Sequence, residues 1–244
     1  MSHSESCLVA KLSHYVELTE TSRRELRQLE EAEENYARGT DVNDVGDVME
    51  HLYVVRHGWL YSYADLPDGR RQIVKIHHPG DIIGFPDVAF RDTTTSLRAA
   101  EDCCLCPFPK ASLAVAFSNS PQLVTLLFSI AARDHAILVD TIRAIGRMSA
   151  REKIAYLLLD LVCRLRISNR TMSDTFRLPI NQSEIADTVG LTNVYVSRTL
   201  VALERDGYIH RKGVYVTLLK EAEMRRMTDF QDRYSEMDTR WFPV

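Results

Sequence analysis

Apolar residues change their spacing several times along this chain, and each change marks a different kind of element. Residues 12–38 are charged, with Leu18, Leu26 and Leu29 as sparse apolar points and an acidic cluster at Glu30, Glu31, Glu33 and Glu34. This reads as one helix ending near Gly39. From about 40 to 110 the pattern turns to short β-branched and aromatic runs: His51–Arg56, Gly58–Tyr63, Arg71–His77 and Ser96–Phe108. Turn signals separate them at Pro67-Asp68-Gly69, Pro79-Gly80-Asp81 and Arg91-Asp92-Thr93. Short strands with a turn every ~8–12 residues predict an antiparallel sandwich, barrel or roll rather than parallel βαβ units.

From Pro121 to about Arg147 the period is helical. Val124, Phe128, Ala131, His135, Leu138, Ile142 and Ile145 alternate steps of four and three, a heptad seam. Leu123, Leu127, Ile130 and Ile137 form a second stripe beside it. A helix with two apolar faces packs on its own domain with one and on a second copy with the other, which predicts a homodimer; a long core helix in a monomer is the alternative. Gly146-Arg147-Met148-Ser149 breaks this helix, and Ser149 with Glu152 forms a capping box that starts the next, amphipathic to about Arg166. A polar loop over Ser168–Asp174 and a short strand over Thr175–Ile180 follow.

The stretch 178–209 is the most informative. Asn181 and Glu184 are spaced as a helix cap and its return partner, Ile185, Ala186 and Val189 give a short apolar face, and Gly190 suits a left-handed turn. Thr192 then caps a second helix whose Val196, Leu200 and Leu203 face inward. Two helices joined by a short turn containing Gly make a helix-turn-helix. The inward face leaves Asn193, Val194, Ser197, Arg198 and Val201 outward, where a recognition helix meets base edges. Arg198 suits bidentate bonding to guanine, and Val194 suits a thymine methyl. A turn at Asp206-Gly207 leads into a predicted hairpin with a basic tip, a wing carrying Arg211 and Lys212. Gln182, Ser183, Thr192, Arg211 and Lys212 are the expected phosphate contacts, and Asn193, Val194, Ser197 and Arg198 the expected base readers.

Charge sharpens this picture. Residues 147–226 hold 14 Lys and Arg against 9 Asp and Glu, a net +5, which leaves −9 on the remainder of a chain whose total is −4. A basic carboxy-terminal part suits a polyanion. The 244 residues, 26% of them charged and 45% hydrophobic, suit one large or two modest soluble domains and exclude collagen-like, disulfide-scaffold and wholly disordered chains. The apolar pattern predicts no bilayer span, Met1–Leu12 lacks the pattern of a secretory signal, and five Cys suit free thiols in a reducing cytoplasm.

The helix-turn-helix with its wing resembles that of the cyclic-AMP receptor protein and fumarate-nitrate reduction regulator (Crp/Fnr) family. So do His51-Leu52-Tyr53-Val54-Val55-x-x-Gly58, Leu66-Pro67-Asp68-Gly69-Arg70-Arg71-Gln72-Ile73 and Pro79-Gly80-Asp81-x-x-Gly84 upstream. The resemblance covers roughly residues 40–220. It implies an α+β fold: an amino-terminal antiparallel β-roll of the cyclic-nucleotide-binding type, a long dimerisation helix and a carboxy-terminal winged helix-turn-helix. The expected divisions are 1–117 for the first helix and sensory-type roll, 118–147 for the dimerisation helix, 148–226 for the DNA-binding domain and 227–244 for a tail. The implied function is a cytoplasmic transcription regulator that binds a pseudopalindromic DNA duplex as a homodimer, with RNA polymerase as a further partner and no membrane.

Departures from the family pattern set further expectations. Where its cyclic-AMP binders place an Arg-Ser pair on the cyclic phosphate, this chain has Thr93-Thr94, and Gly84-Phe85-Pro86-Asp87 replaces the ribose-binding stretch. Cyclic-AMP independence follows. Many relatives carry Glu where this chain has Val194, so the usual half-site does not transfer. Cys7 stands alone where oxygen sensors of the family carry a tight Cys group, and Cys103, Cys104 and Cys106 read as buried thiols; His51, His57, His77 and His78 read as structural. No cofactor or metal is expected, and the effector, if any, stays open: an unidentified small molecule or a redox signal in the roll is the alternative mode of control. A nucleotide-type module acting on a protein partner and a thiol- or metal-dependent hydrolase are the readings from other classes. Neither a nucleophile elbow, an HExxH helix, a Walker loop nor a dinucleotide fingerprint supports the enzyme.

Overall fold

A computed structural model describes residues 6–169 and 171–242. The amino-terminal region holds two short helices, α1 (Cys7–Leu12) and α2 (Glu20–Gln28), in place of the single helix expected over 12–38. Two caps divide it: Ser6 accepts from the Val9 N–H at 3.0 Å and Thr19 from the Ser22 N–H at 3.1 Å. The acidic cluster serves tertiary structure instead. Buried Glu30 accepts the N–H groups of Cys7 (3.0 Å) and Leu8 (3.3 Å) and the Ser6 hydroxyl, satisfying the unpaired start of α1. Burial pushes its carboxyl above the usual carboxylate range. Glu33 pairs with Arg56 at 2.8 Å, and Glu34 opens a strand, β1 (Glu34–Tyr36).

The strands β2 (Asp41–Asn43), β3 (His51–His57), β4 (Leu60–Asp65), β5 (Arg71–His77), β6 (Ile82–Ile83), β7 (Ser96–Ala99) and β8 (Cys103–Pro109) follow. They form two antiparallel sheets ordered β1-β8-β3-β6 and β2-β7-β4-β5. The run expected as one strand over Ser96–Phe108 is therefore two, one in each sheet. Gly58 makes room for the crossing: at φ +82° it lies so close that a side chain there would start 2.5 Å from Cys103 Cβ and 2.6 Å from the Asp102 carbonyl. Val55, Leu60, Ile83, Leu97, Ala99, Cys103 and Leu105 fill the space between the sheets. Alternation turns Cys106 and Phe108 to the other face of β8, against Leu8, Leu26, Leu113, Leu123 and Leu126.

The helix α3 (Ala111–Asn119), not foreseen from the sequence, leads into α4 (Pro121–Arg147) with the expected bounds. Next come α5 (Ala150–Ser168), closed by the Ser149/Glu152 capping box, β9 (Thr175–Arg177), α6 (Gln182–Val189), α7 (Asn193–Arg205), β10 (Ile209–Lys212), β11 (Tyr215–Leu218) and a further helix, α8 (Glu221–Thr228). Two compact units result. Among the described residues, one comprises those up to Ala131 together with those from Met237 to Phe242; the other lies within Ala132–Glu236. Among the described residues after α8, most are exposed, but a few side chains are packed. Phe230 and Tyr234 are buried in the second unit, where the Tyr234 hydroxyl donates to Asp160 at 2.6 Å.

Candidate nucleic-acid interface

The helix pair is built from its caps. The Asn181 side chain accepts the N–H groups of Ser183 (2.8 Å) and Glu184 (3.0 Å), and the Glu184 carboxylate accepts the Asn181 N–H at 2.6 Å. Gly190 ends α6 at φ +65°, a left-handed conformation open to glycine at little cost. Thr192 then caps α7. Val196, Leu200 and Leu203 are buried, which turns the opposite face outward: Asn193, Val194, Arg198 and Val201 are exposed and Ser197 half-buried. Tyr195, absent from the residues expected on that face, is 59% exposed in the same first turn. Its position beside Val194, away from the buried i, i+4, i+7 series, was the available signal.

The first turns of both helices come together. The Asn193 amide donates to the Ser183 hydroxyl at 3.5 Å, and Gln182 and Ser183 are exposed at the start of α6. The caps already take up part of the N–H groups at each helix start, and the positive end of each dipole remains on this edge, which suits an anion. The hairpin β10–β11 pairs Lys212 with Tyr215 around Gly213-Val214, and β9 adds a third strand to the wing, with Arg177 opposite Tyr215. The two basic wing residues are placed differently. Arg211 is held by Glu204 of α7 through Nε (2.9 Å), Nη2 (2.6 Å) and its backbone N–H (2.9 Å), and this partner keeps the Glu204 carboxyl below its ordinary range. Arg211 thus ties the wing to the recognition helix. Lys212 is exposed at the tip.

On α4 the two stripes separate in the first turns, whereas Ile130 and Ile137 of the second stripe are only half-buried. Leu123 and Leu127 are buried, and Leu126 with them. Val124, Phe128, Leu138 and Ile142 stand 40–64% exposed, His135 is exposed, and Ala131 and Ile145 are half-buried. Ile145 lies 3.7 Å from where a side chain on Gly190 would begin, so the last seam position also lines the helix-turn-helix turn. By length and composition alone α4 is able to cross a membrane. Arg133, Asp140 and Arg143 interrupt it, however, and hold Tyr234, Arg233 and Asp229.

In the β-roll, buried Asp87 accepts the Thr94 N–H at 3.0 Å and the Thr94 hydroxyl, and Arg98 is paired with Asp41. A carboxylate therefore stands at the Thr93-Thr94 pair, and the nearby guanidinium is already engaged. Cys103, Cys104 and Cys106 are buried free thiols; burial pushes Cys103 and Cys106 up to about 11, so neither is a thiolate at neutral pH. Cys103 and Cys106 have C-x-x-C spacing, but strand alternation sends them into different cores. His77 is buried and shares a 2.8 Å bond with the Ser62 hydroxyl; His78 is buried beside Trp59, with ring centroids 5.9 Å apart.

Known proteins match both halves of this arrangement. A cyclic nucleotide-binding domain model matches residues 33–120, and a Crp-like helix-turn-helix domain model matches residues 152–227. The nitrogen fixation regulation protein FixK of Bradyrhizobium diazoefficiens is 36% identical over 193 residues, 79% of this chain and 80% of that protein. The fumarate and nitrate reduction regulatory protein of Vibrio cholerae is 26% identical over 226 residues, 92% of this chain and 90% of that one. The solved structure of FixK2 from Bradyrhizobium japonicum superposes with a TM-score of 0.73 at 27% identity, covering 80% of this chain and 96% of that one.

Proposed function

This chain belongs to the Crp/Fnr family of DNA-binding transcription regulators, and on that premise we propose that it binds a pseudopalindromic duplex as a homodimer, independently of cyclic AMP. The observation that carries the reading is the outward face of α7, where Asn193, Val194 and Arg198 are exposed opposite a buried Val196, Leu200 and Leu203. That face is narrow enough to enter a major groove, with Ser197 beside it. Lys212 at the wing and Gln182, Ser183 and Thr192 at the two helix starts are the phosphate contacts of this reading. Arg211 serves them from behind, through Glu204. Residues 148–226 act as the DNA-binding domain, RNA polymerase is the further partner, and a duplex target implies action in the cytoplasm.

Two features support the absence of cyclic AMP. The Asp87 carboxylate beside Thr94 repels an anion where a cyclic phosphate needs a cation. The space between the sheets is also filled by Leu60, Leu97 and Leu105 together with Val55 and Ile83. Selection from a random pool of duplex DNA by the purified protein, with no nucleotide added, is expected to enrich a two-fold symmetric site. Failure to enrich any site unless a small molecule is supplied would favour an effector-gated regulator. Titration calorimetry with cyclic AMP is expected to show no saturable heat and no change in DNA affinity; micromolar binding coupled to tighter DNA binding would overturn this part of the proposal.

A further inference from the structure

Residues 228–242 lie beyond the matched helix-turn-helix domain, and their packing gives them a definite path. Asp229 meets Arg143 at 2.9 Å, Arg233 meets Asp140 at 3.0 Å, and the Tyr234 ring lies under the Arg133 guanidinium at 5.3 Å. At ~100° per residue, Arg133 and Asp140 lie on the face of α4 opposite the Val124–His135–Ile142 seam and Arg143 well round from it, so this part of the segment runs along the back of the helix and leaves the seam uncovered. Farther on, Met237 and Phe242 pack against the apolar core that includes Leu8, Leu26 and Leu123. Trp241 meets Phe242 and Phe128 edge-on, with ring centroids 5.2 Å and 6.4 Å apart. Phe128 is a seam residue. Even with these two rings together, Phe128 is 64% exposed and Trp241 56% exposed.

An indole more than half in water, set against an equally exposed phenyl ring, extends the exposed apolar surface that Val124 presents on the same helix. Contiguous exposed apolar surface marks association sites, and Trp is among the residues most enriched where such sites bury. We infer that Trp241 is part of the self-association face: a second copy of this chain, seated along the α4 seam, covers the indole at its Phe128 flank. This rests on the homodimer proposed above. It adds that the face is built by two separate parts of the chain, the long helix and Trp241, which the carboxy-terminal segment brings to Phe128.

The chain has two tryptophans, and Trp59 is buried in the β-roll. The W59F variant therefore leaves Trp241 as the sole reporter; if W59F does not fold, the difference in emission between wild type and W241F serves in its place. Sedimentation and acrylamide quenching are followed together across a dilution series. Trp241 is expected to emit to the blue and resist quenching in the dimer, then to shift red and become several-fold more quenchable as the dimer dissociates. The W241A variant is expected to dimerise roughly ten- to a hundredfold more weakly, the range of a Trp hot spot. A dimer in which Trp241 is as quenchable as in the monomer overturns the inference and leaves the dimer standing. So does a W241A protein that dimerises as well as wild type or better, the latter meaning that the segment competes with the second copy for Phe128. A wild-type chain that stays monomeric at every concentration overturns the dimer itself, and this inference with it.

Discussion

Replacing Leu138 with Glu is expected to give a folded monomer that binds its DNA site about 10²- to 10⁴-fold more weakly than wild type, the range by which linking two half-site modules raises affinity. Leu138 is 50% exposed on α4, so the substitution removes little from the core of the single chain, and circular dichroism and thermal unfolding should change little. In the proposed dimer this position lies within the seam, one turn from its central residue His135, and would meet its own copy. Two carboxylates would then be buried close together with no cation supplied by the neighbouring seam residues Ala131, His135 and Ile142 beyond the imidazole one turn away. Desolvation and repulsion act in the same direction, so association should fail outright. Sedimentation velocity reads the monomer and a gel-shift titration reads the weakened DNA affinity. A variant that stays dimeric and binds normally would show that α4 is not the interface.

The second large effect separates Arg198 from Lys212. Arg198 is exposed one turn beyond Val194 on the face opposite Val196 and Leu200, and in the proposed reading its guanidinium enters the major groove. A bidentate contact to guanine O6 and N7 contributes about 1–3 kcal/mol of discrimination. Arg198→Ala is therefore expected to weaken binding to the selected site by roughly ten- to a hundredfold and to relax preference at one position per half-site. Lys212, exposed at the wing tip, is expected to meet a phosphate. Lys212→Ala should weaken every duplex nearly alike and reduce the slope of log K against log salt by about 0.9 for each phosphate that is no longer neutralised. Measuring both variants on the selected site and on random duplex, at several salt concentrations, separates the roles. Equal weakening on both DNAs for Arg198→Ala would make Arg198 a phosphate clamp and not a base reader.

Arg211 marks the boundary of what a linear pattern reveals about such a site. Its sequence context, beside Lys212 in a basic hairpin tip, gives both residues the same expected role. Strand alternation then separates them: Arg211 turns back to Glu204, seven residues earlier on α7, while Lys212 points to solvent. Only the docking of the hairpin against α7 decides which of two adjacent cations is already engaged.

The local elements were legible because local forces specify them. The caps at Ser149, Asn181 and Thr192, the left-handed Gly190 and the seam of α4 each depend on residues within a few positions, and each is found where its spacing places it. The sequence by itself thus determined the helix-turn-helix, its outward face, the wing hairpin and the two stripes in the first turns of α4. What it did not determine depends on contacts between distant residues. The acidic cluster reads as helix because its propensity is helical, yet Glu30 is drawn to the open start of α1 and Glu34 into a strand against β8. The run Ser96–Phe108 reads as one strand, but its two parts pair in different sheets, β7 with β2 and β4 and β8 with β1 and β3, and Gly58 packs closely where the second part begins. The carboxy-terminal segment reads as a tail because its few apolar residues have no period, and Phe230, Tyr234 and Phe242 find their partners in cores formed by other parts of the chain. Tertiary structure decided these because burial and long-range pairing outweigh a propensity spanning only a few tenths of a kcal/mol per residue, up to about 1 kcal/mol.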